Sequence, residues 1–355
     1  MKKIFTTLCF VFLVVFVATT SVKAEVLEPA GKDGNDRRNI QSELDTNKKV
    51  KLKKGGKYYL DSHLILDDGY SIDATGATIY CSGELFLHNI TATGYKSLKN
   101  VTVKGGTWKS TIKTGCTHST IKLVHAKNIK LINMKISLAN IESHTIEIVA
   151  SKDVLIENCK ITPLGKSKST SVEEPLQIDI AAPHTAPFVN SKYLNGATCK
   201  NITIRACTVK GCRGICANYP PNDRQYINNF HENIVIEDCK ITSTTSQALS
   251  LFNTKSATIK NNTIICNAPS SRGYYAGGMH VAYFGKAPSK LSDANFTITG
   301  NTIKGTNFGL KVASKYGTVT IKNNACYSKK GAGAALSVTG QTKLVKEKNK
   351  TEAWK

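Results

Sequence analysis

One nine-residue pattern recurs along this chain and limits its fold more than any other feature. It reads NVTVKGGTW from Asn100, NIKLINMKI from Asn128, DVLIENCKI from Asp153, NITIRACTV from Asn201 and NIVIEDCKI from Asn233. It returns as SATIKNNTI from Ser256, NFTITGNTI from Asn295 and TVTIKNNAC from Thr318, with starts 23 to 48 residues apart. Apolar residues at period two predict strands, and the Asn, Asp and Gly steps between them predict tight turns. A second strand motif alternates with the first: TIKLVHA, TIEIVAS, QIDIAAP, GICANYP, ALSLFNT, GMHVAYF, GLKVASK and ALSVTG. Such a unit cannot bury its apolar face alone, so it must stack on its neighbours as one coil of a solenoid.

The pattern resembles the right-handed parallel β-helix of the pectate-lyase superfamily over nearly the whole length after residue 24. The segment DGNDRRNIQSELDTNKKVKLKKGGKYYL adds to the resemblance. In that superfamily such a segment forms a short helix and a first strand that cap the barrel end. The expected fold is therefore all-β: a single-stranded right-handed parallel β-helix of about nine to ten coils with a short N-terminal capping helix, roughly Arg37–Leu44. The expected divisions are a leader over 1–24, cap and first strand over 25–60, β-helix over 61–345 and a basic C-terminal tail over 346–355.

Aligning the repeats explains the cysteines. The position two before the last apolar residue reads Gly106, Met134, Cys159, Cys207, Cys239, Asn262, Asn301 and Asn324. This predicts an internal ladder of small buried side chains, with the three cysteines as thiols and the asparagine amides bonded along the axis. Cys199, Cys212, Cys216 and Cys266 fall near loops or strand ends and cannot be paired from spacing. No Cys/His set stands at zinc spacing.

The first 24 residues carry Lys2 and Lys3, an apolar run and the small-residue exit Val22-Lys23-Ala24, the pattern of a cleaved secretory signal peptide. A secreted, extracellular protein is expected, monomeric and without a membrane partner after cleavage. Losing Lys2, Lys3 and Lys23 lowers the net charge from +23 to +20. That field favours an acidic partner, with an acidic polysaccharide first. The lysines are dispersed and no basic-aromatic motif stands out, so nucleic acid is not the expected partner.

Equivalent residues of successive coils stack about 4.8 Å apart. Aligned on their apolar positions, the second strands present the outward column Lys122, Glu147, Asp179, Cys216, Ser250, His280, Lys311 and Ser337, with Gln177 one step before Asp179. Glu147 and Asp179 are thereby expected opposite one another on an exposed wall. Two acids so placed repel unless one is protonated or a cation bridges them, which suits acid–base work. They can also hold a cation, for which Asp179, Glu147 and Glu173 are the candidate ligands and Ca²⁺ the candidate ion; no other cofactor is expected. Lys122 and His184 join them as candidate catalytic groups. Glu174 is read as a turn charge and His144 as a structural donor. Long insertions flank QIDIAA and the two later strands, and they bring Tyr193, Tyr219, Asp223, Arg224 and Tyr275 toward the same wall. With Gln177 and His280, these are the candidate substrate-binding residues, since flat amphipathic rings suit sugar faces.

The resemblance implies a carbohydrate-active exported protein. It does not identify the family: the NTD, DD and GHG succession of polygalacturonases, the DPHE of alginate epimerases and the aspartate cluster of pectate lyases are all missing. Lysis of a uronate polymer by β-elimination leads, with Lys122, His184 or Tyr219 as base. Hydrolysis by Glu147 and Asp179 is the alternative, and non-catalytic binding of a polysaccharide or cell surface is the alternative from another class.

Overall fold

The computed structural model describes residues 25–32, 34–81, 87–88, 98–111, 121–138, 144–163, 174–285, 291 and 293–355. The expected leader and Glu173 lie outside them. The chain forms a right-handed parallel β-helix. Each coil gives one strand in turn to three parallel sheets, as Lys200–Arg205, Thr208–Gly211 and Ile215–Ala217 do. Among the described residues the sheets hold 12, 11 and 10 strands, so the stack is slightly taller than nine to ten coils.

The turn residues explain the corners. Between the first and second sheets the backbone passes through the left-handed region at Asn133, Asn158, Asp238, Asn261 and Asn323, with φ between 50° and 58°. Asn and Asp tolerate that region better than other side chains do. Gly300 holds the same corner at φ 68°, and a Cβ there would come within 2.5 Å of Asn261 Oδ1.

Inside, isoleucine, valine and leucine columns from all three sheets meet in one continuous core. The predicted ladder runs through it. The Cys159 amide donates to Cys207 Sγ and the Cys207 amide to Cys239 Sγ, both at 3.4 Å. The Cys239 amide then donates to Asn262 Oδ1 at 2.9 Å. The Nδ2 groups of Asn262, Asn301 and Asn324 each donate to the Oδ1 of the next asparagine at 2.9 Å, ending on Asn349. Cys159, Cys207 and Cys239 remain thiols, as do Cys199, Cys212, Cys216 and Cys266.

The cap is a helix over Asp36–Asn47, longer than expected at both ends, which buries Ile40 and Leu44 against the first coil. The other end differs from expectation. Residues 346–355 are no tail, because Lys343–Glu347 and Lys350–Ala353 pair in register with the coil before. That last coil sets Lys346 beside Ile321 and Thr351 beside Cys326, so polar side chains close two of the apolar columns, while Leu344 ends the Val319 column exposed. No helix among the described residues is long and apolar enough to cross a membrane.

Candidate functional site

The third sheet carries the candidate residues on Ile121–Val124, Ile146–Val149, Leu176–Asp179, Ile215–Ala217, Leu249–Phe252, Gly277–Ala282 and Phe308–Val312. Ile146, Ile148, Leu176 and Ile178 face the core, so their neighbours in sequence face outward. The outward column is Lys122, Glu147, Gln177, Cys216, Ser250, His280 and Lys311. The expected register is therefore corrected by two residues: Gln177 stands opposite Glu147, and Asp179 stands opposite Val149.

The two acids still meet, on a diagonal. Asp179 hydrogen-bonds Glu147, while Lys122 Nζ lies 2.6 Å from Glu147 Oε2. Burial, and then the Glu147 charge, push the Asp179 carboxyl well above the usual carboxylate range; Lys122 opposes that shift and Glu174 adds to it. Of the two acids, Asp179 is thus the one pushed toward its neutral form. Gln177 Nε2 donates to Asp179 Oδ1 at 3.0 Å, and Gln177 Oε1 is buried with no hydrogen-bond partner among the described residues.

A second buried pair abuts the first. Glu174 accepts from Arg213 and lies 3.3 Å, through Oε2, from His144 Nδ1. Arg213 also donates to Ser246 Oγ at 3.2 Å and approaches the Tyr275 ring, its guanidinium 5.9 Å from the centroid. Glu174 is therefore no turn charge: its side chain is 4 % exposed and holds both basic groups.

Donor atoms of His144, Glu147 and Asp179 lie within 4.8 Å of one another. This set suits calcium poorly. Calcium takes six to eight oxygen ligands, whereas here a histidine nitrogen joins two carboxylates and the Lys122 ammonium already holds one of them.

The wall is not an open groove. An outer apolar layer of Val124, Val149, Ala150, Ala181, Ala186, Val189 and Leu194 covers this part of the sheet, built largely by the insertion after Asp179. It leaves Glu147 and Asp179 each 4 % exposed, where an exposed wall was expected. Lys122 lies at the edge, 5.4 Å from the Phe188 ring centroid. Farther along, Tyr219 stacks on Phe284 at 4.0 Å and meets Phe252 edge-on at 6.1 Å. His280 sits among Phe252, Tyr274 and Phe308. Burial first, then Lys311 and Arg213, push His280 down to about 4. It lies three rungs from Gln177, as its expected distance from the acids required.

The other candidates divide. His184 and Asp223 come together, Nδ1 to Oδ2 at 3.2 Å, but His184 is largely exposed and points to Asp223. Arg224 is exposed at the start of a short 3₁₀ turn, and it is Arg213 that pairs with a buried carboxylate. Tyr193 packs on the outer layer, its carbonyl 2.8 Å from His125 Nε2. Tyr275 lies between Arg213 and Arg272, near the cluster. The sequence reading passed over Arg213 as a site residue and misread Glu174, while His144, read as a structural donor, meets Glu174 through Nδ1. All three stand just before a third-sheet strand, and that shared edge was the available signal.

A family model described as a right-handed beta helix region matches residues 188–326. No curated protein matches the chain. Among solved structures, the chain is similar to PfbA, a surface adhesin of Streptococcus pneumoniae, at 14 % identity and a TM-score of 0.64, over 92 % of this chain and 91 % of that one. It is also similar to a hyperthermoactive exopolygalacturonase from Thermotoga maritima, at 12 % identity and a TM-score of 0.50, over 92 % and 94 %. At these identities the likeness is one of fold.

Proposed function

We propose that this β-helix cleaves an acidic, uronate-bearing polysaccharide by β-elimination, with Asp179 as the proton donor to the leaving oxygen. One observation carries the reading: Asp179 is a buried carboxyl that keeps its proton beside Glu147 and Lys122. A neutral carboxyl near neutral pH is what a general acid requires. His144, oriented through Nδ1 by Glu174, is the group placed to accept the C5 proton. The C5–H and C4–O bonds break, a C4–C5 double bond forms, and Asp179 protonates the departing O4. Lys122, at the edge of the cluster beside Glu147, is the cation assigned to the substrate carboxylate. The other proposed bases fit less well, since Lys122 is ion-paired, His184 is turned to Asp223, and burial pushes the Tyr219 hydroxyl up.

Hydrolysis by the acid pair is disfavoured on geometry. Retaining and inverting pairs flank the scissile bond at about 5 Å or more, whereas Glu147 and Asp179 hydrogen-bond directly. An extracellular setting after loss of residues 1–24 belongs to the same proposal. It is compatible with neighbours described as a surface adhesin and an exopolygalacturonase, which also support a carbohydrate partner.

The burial of both acids favours one second reading, non-catalytic binding of a polysaccharide or cell surface. Incubation with a panel of uronate polymers separates the two, read by the ultraviolet absorbance of unsaturated uronates and by reducing ends. Unsaturated product made by the wild type and not by Asp179→Asn supports elimination. Reducing ends without that absorbance would return the site to hydrolysis, and neither signal with retained polymer binding would leave the binding reading.

A further inference from the structure

Two columns of side chains run along the outer face of the first sheet and follow opposite rules. At the corner toward the second sheet, Glu157, Arg205, Glu237 and Lys260 occupy successive rungs in register, so the charges alternate in sign. Arg205 Nε lies 2.7 Å from Glu157 Oε1. At the other corner, where the third sheet returns to the first, Lys99, Lys127, Lys152 and Lys200 occupy four successive rungs in register. Rungs are about 4.8 Å apart, and like charges directly opposite are destabilising. A general surplus of lysine does not explain the difference, because the strands Lys152–Glu157 and Lys200–Arg205 each carry one residue of both columns.

The lysine column is bounded. Lys99 Nζ lies 3.3 Å from Asp68 at one end, and Lys200 Nζ lies 2.8 Å from Glu232 at the other. Between them, Lys127 and Lys152 form no ion pair among the described residues. Asp153, beside Lys152, accepts from Asn201 Nδ2 at 2.6 Å and also acts on Lys200. A concavity lined by Lys127, Lys152, Thr198, Lys200 and Glu232 opens over the middle of the column. Its floor is held from beneath: Ala126, Ser151 and Cys199 amides donate in turn to Ser151 Oγ, Cys199 Sγ and His231 Nδ1.

We propose that this strip binds a linear anionic polysaccharide lying along the solenoid axis, with successive carboxylates of the polymer meeting Lys127 and Lys152. The identity of the polymer rests on the acidic-polysaccharide reading above, but the strip uses no residue of the Glu147–Asp179 cluster. An anion bearing charges at the rung spacing relieves the like-charge stacking that the fold otherwise tolerates. The strip therefore holds the chain while the third sheet acts on it.

The test is binding of polygalacturonate by the full chain, measured by affinity electrophoresis at graded salt, with neutral dextran as control. The double variant Lys127→Glu/Lys152→Glu is expected to weaken binding about tenfold or more, most at low salt. Lys210→Glu/Lys240→Glu, which changes net charge equally on the second sheet, is expected to stay within about twofold. The thermal midpoint of Lys152→Glu is expected to hold or rise, showing that the fold is intact. Equal weakening by both double variants would reduce the effect to bulk charge and overturn the strip, as would full binding by the first or no binding by the wild type. Loss of binding in Asp179→Asn alone would place the polymer on the third sheet and overturn the strip while sparing the cleavage reading. Strip-dependent binding with no unsaturated product would do the reverse.

Discussion

Glu147 hydrogen-bonds Asp179 although its partner across the rung is Gln177. The diagonal contact places two carboxyls and an ammonium in one largely buried row, with Gln177 Nε2 donating to Asp179 Oδ1.

Because Asp179 is neutral in the folded chain, Asp179→Asn exchanges one uncharged group for another of the same shape. Its stability at neutral pH is expected to match or exceed that of the wild type while cleavage is lost. Glu147→Gln differs, since it strands the Lys122 ammonium at a mostly buried site and should cost about 3 kcal/mol. Urea denaturation of the two variants side by side checks this; equal losses would contradict the proton assignment.

The raised Asp179 also has a pH signature. The unfolded chain loses this proton near the usual carboxylate value of 3.8, whereas the folded chain keeps it to higher pH. The stability it contributes is thus fully present below pH 3.8 and is lost as pH rises toward its folded value. Thermal midpoints recorded from acid to neutral pH should show Asp179→Asn gaining on the wild type across that window.

His231 bends the profile the other way. Burial pushes it down to about 4, and it accepts from the Cys199 amide while its Nε2 faces the Asn218 carbonyl at 3.0 Å. It stays neutral when folded, so its contribution is full above pH 6.5 and is lost as pH falls toward about 4. His231→Asn should be less stable at neutral pH yet flatter between those limits; an unchanged slope would show that His231 is not the titrating group.

Asn262 carries three ladder bonds: it accepts from the Cys239 amide and donates to Ile236 O and Asn301 Oδ1, each at 2.9 Å. Asn262→Ala should cost about 2 to 4 kcal/mol, since buried partners above and below are left unsatisfied. Coils touch only their neighbours, so amide exchange should quicken in the coils around residue 262 and remain slow at the capped N-terminal end.

How much of the site was legible is decided by parity. The strands IEIV and LQID show which side chains face out, because alternation fixes the face. A slip of two residues keeps every face unchanged, so alternation could not distinguish Glu147 opposite Asp179 from Glu147 opposite Gln177. Arg213 and Glu174 were harder still, since each is an ordinary charge before a strand and only the stacked edge brings them together.

The repeat of apolar pairs, turn asparagines and ladder cysteines determined the β-helix by itself, because those features are local and recur in each coil. The cover over Glu147 and Asp179, the raised Asp179 carboxyl and the neighbouring Glu174–Arg213 salt bridge were decided by the tertiary structure. They depend on an insertion folding back over the sheet after Asp179, and on desolvation, which no spacing of residues records.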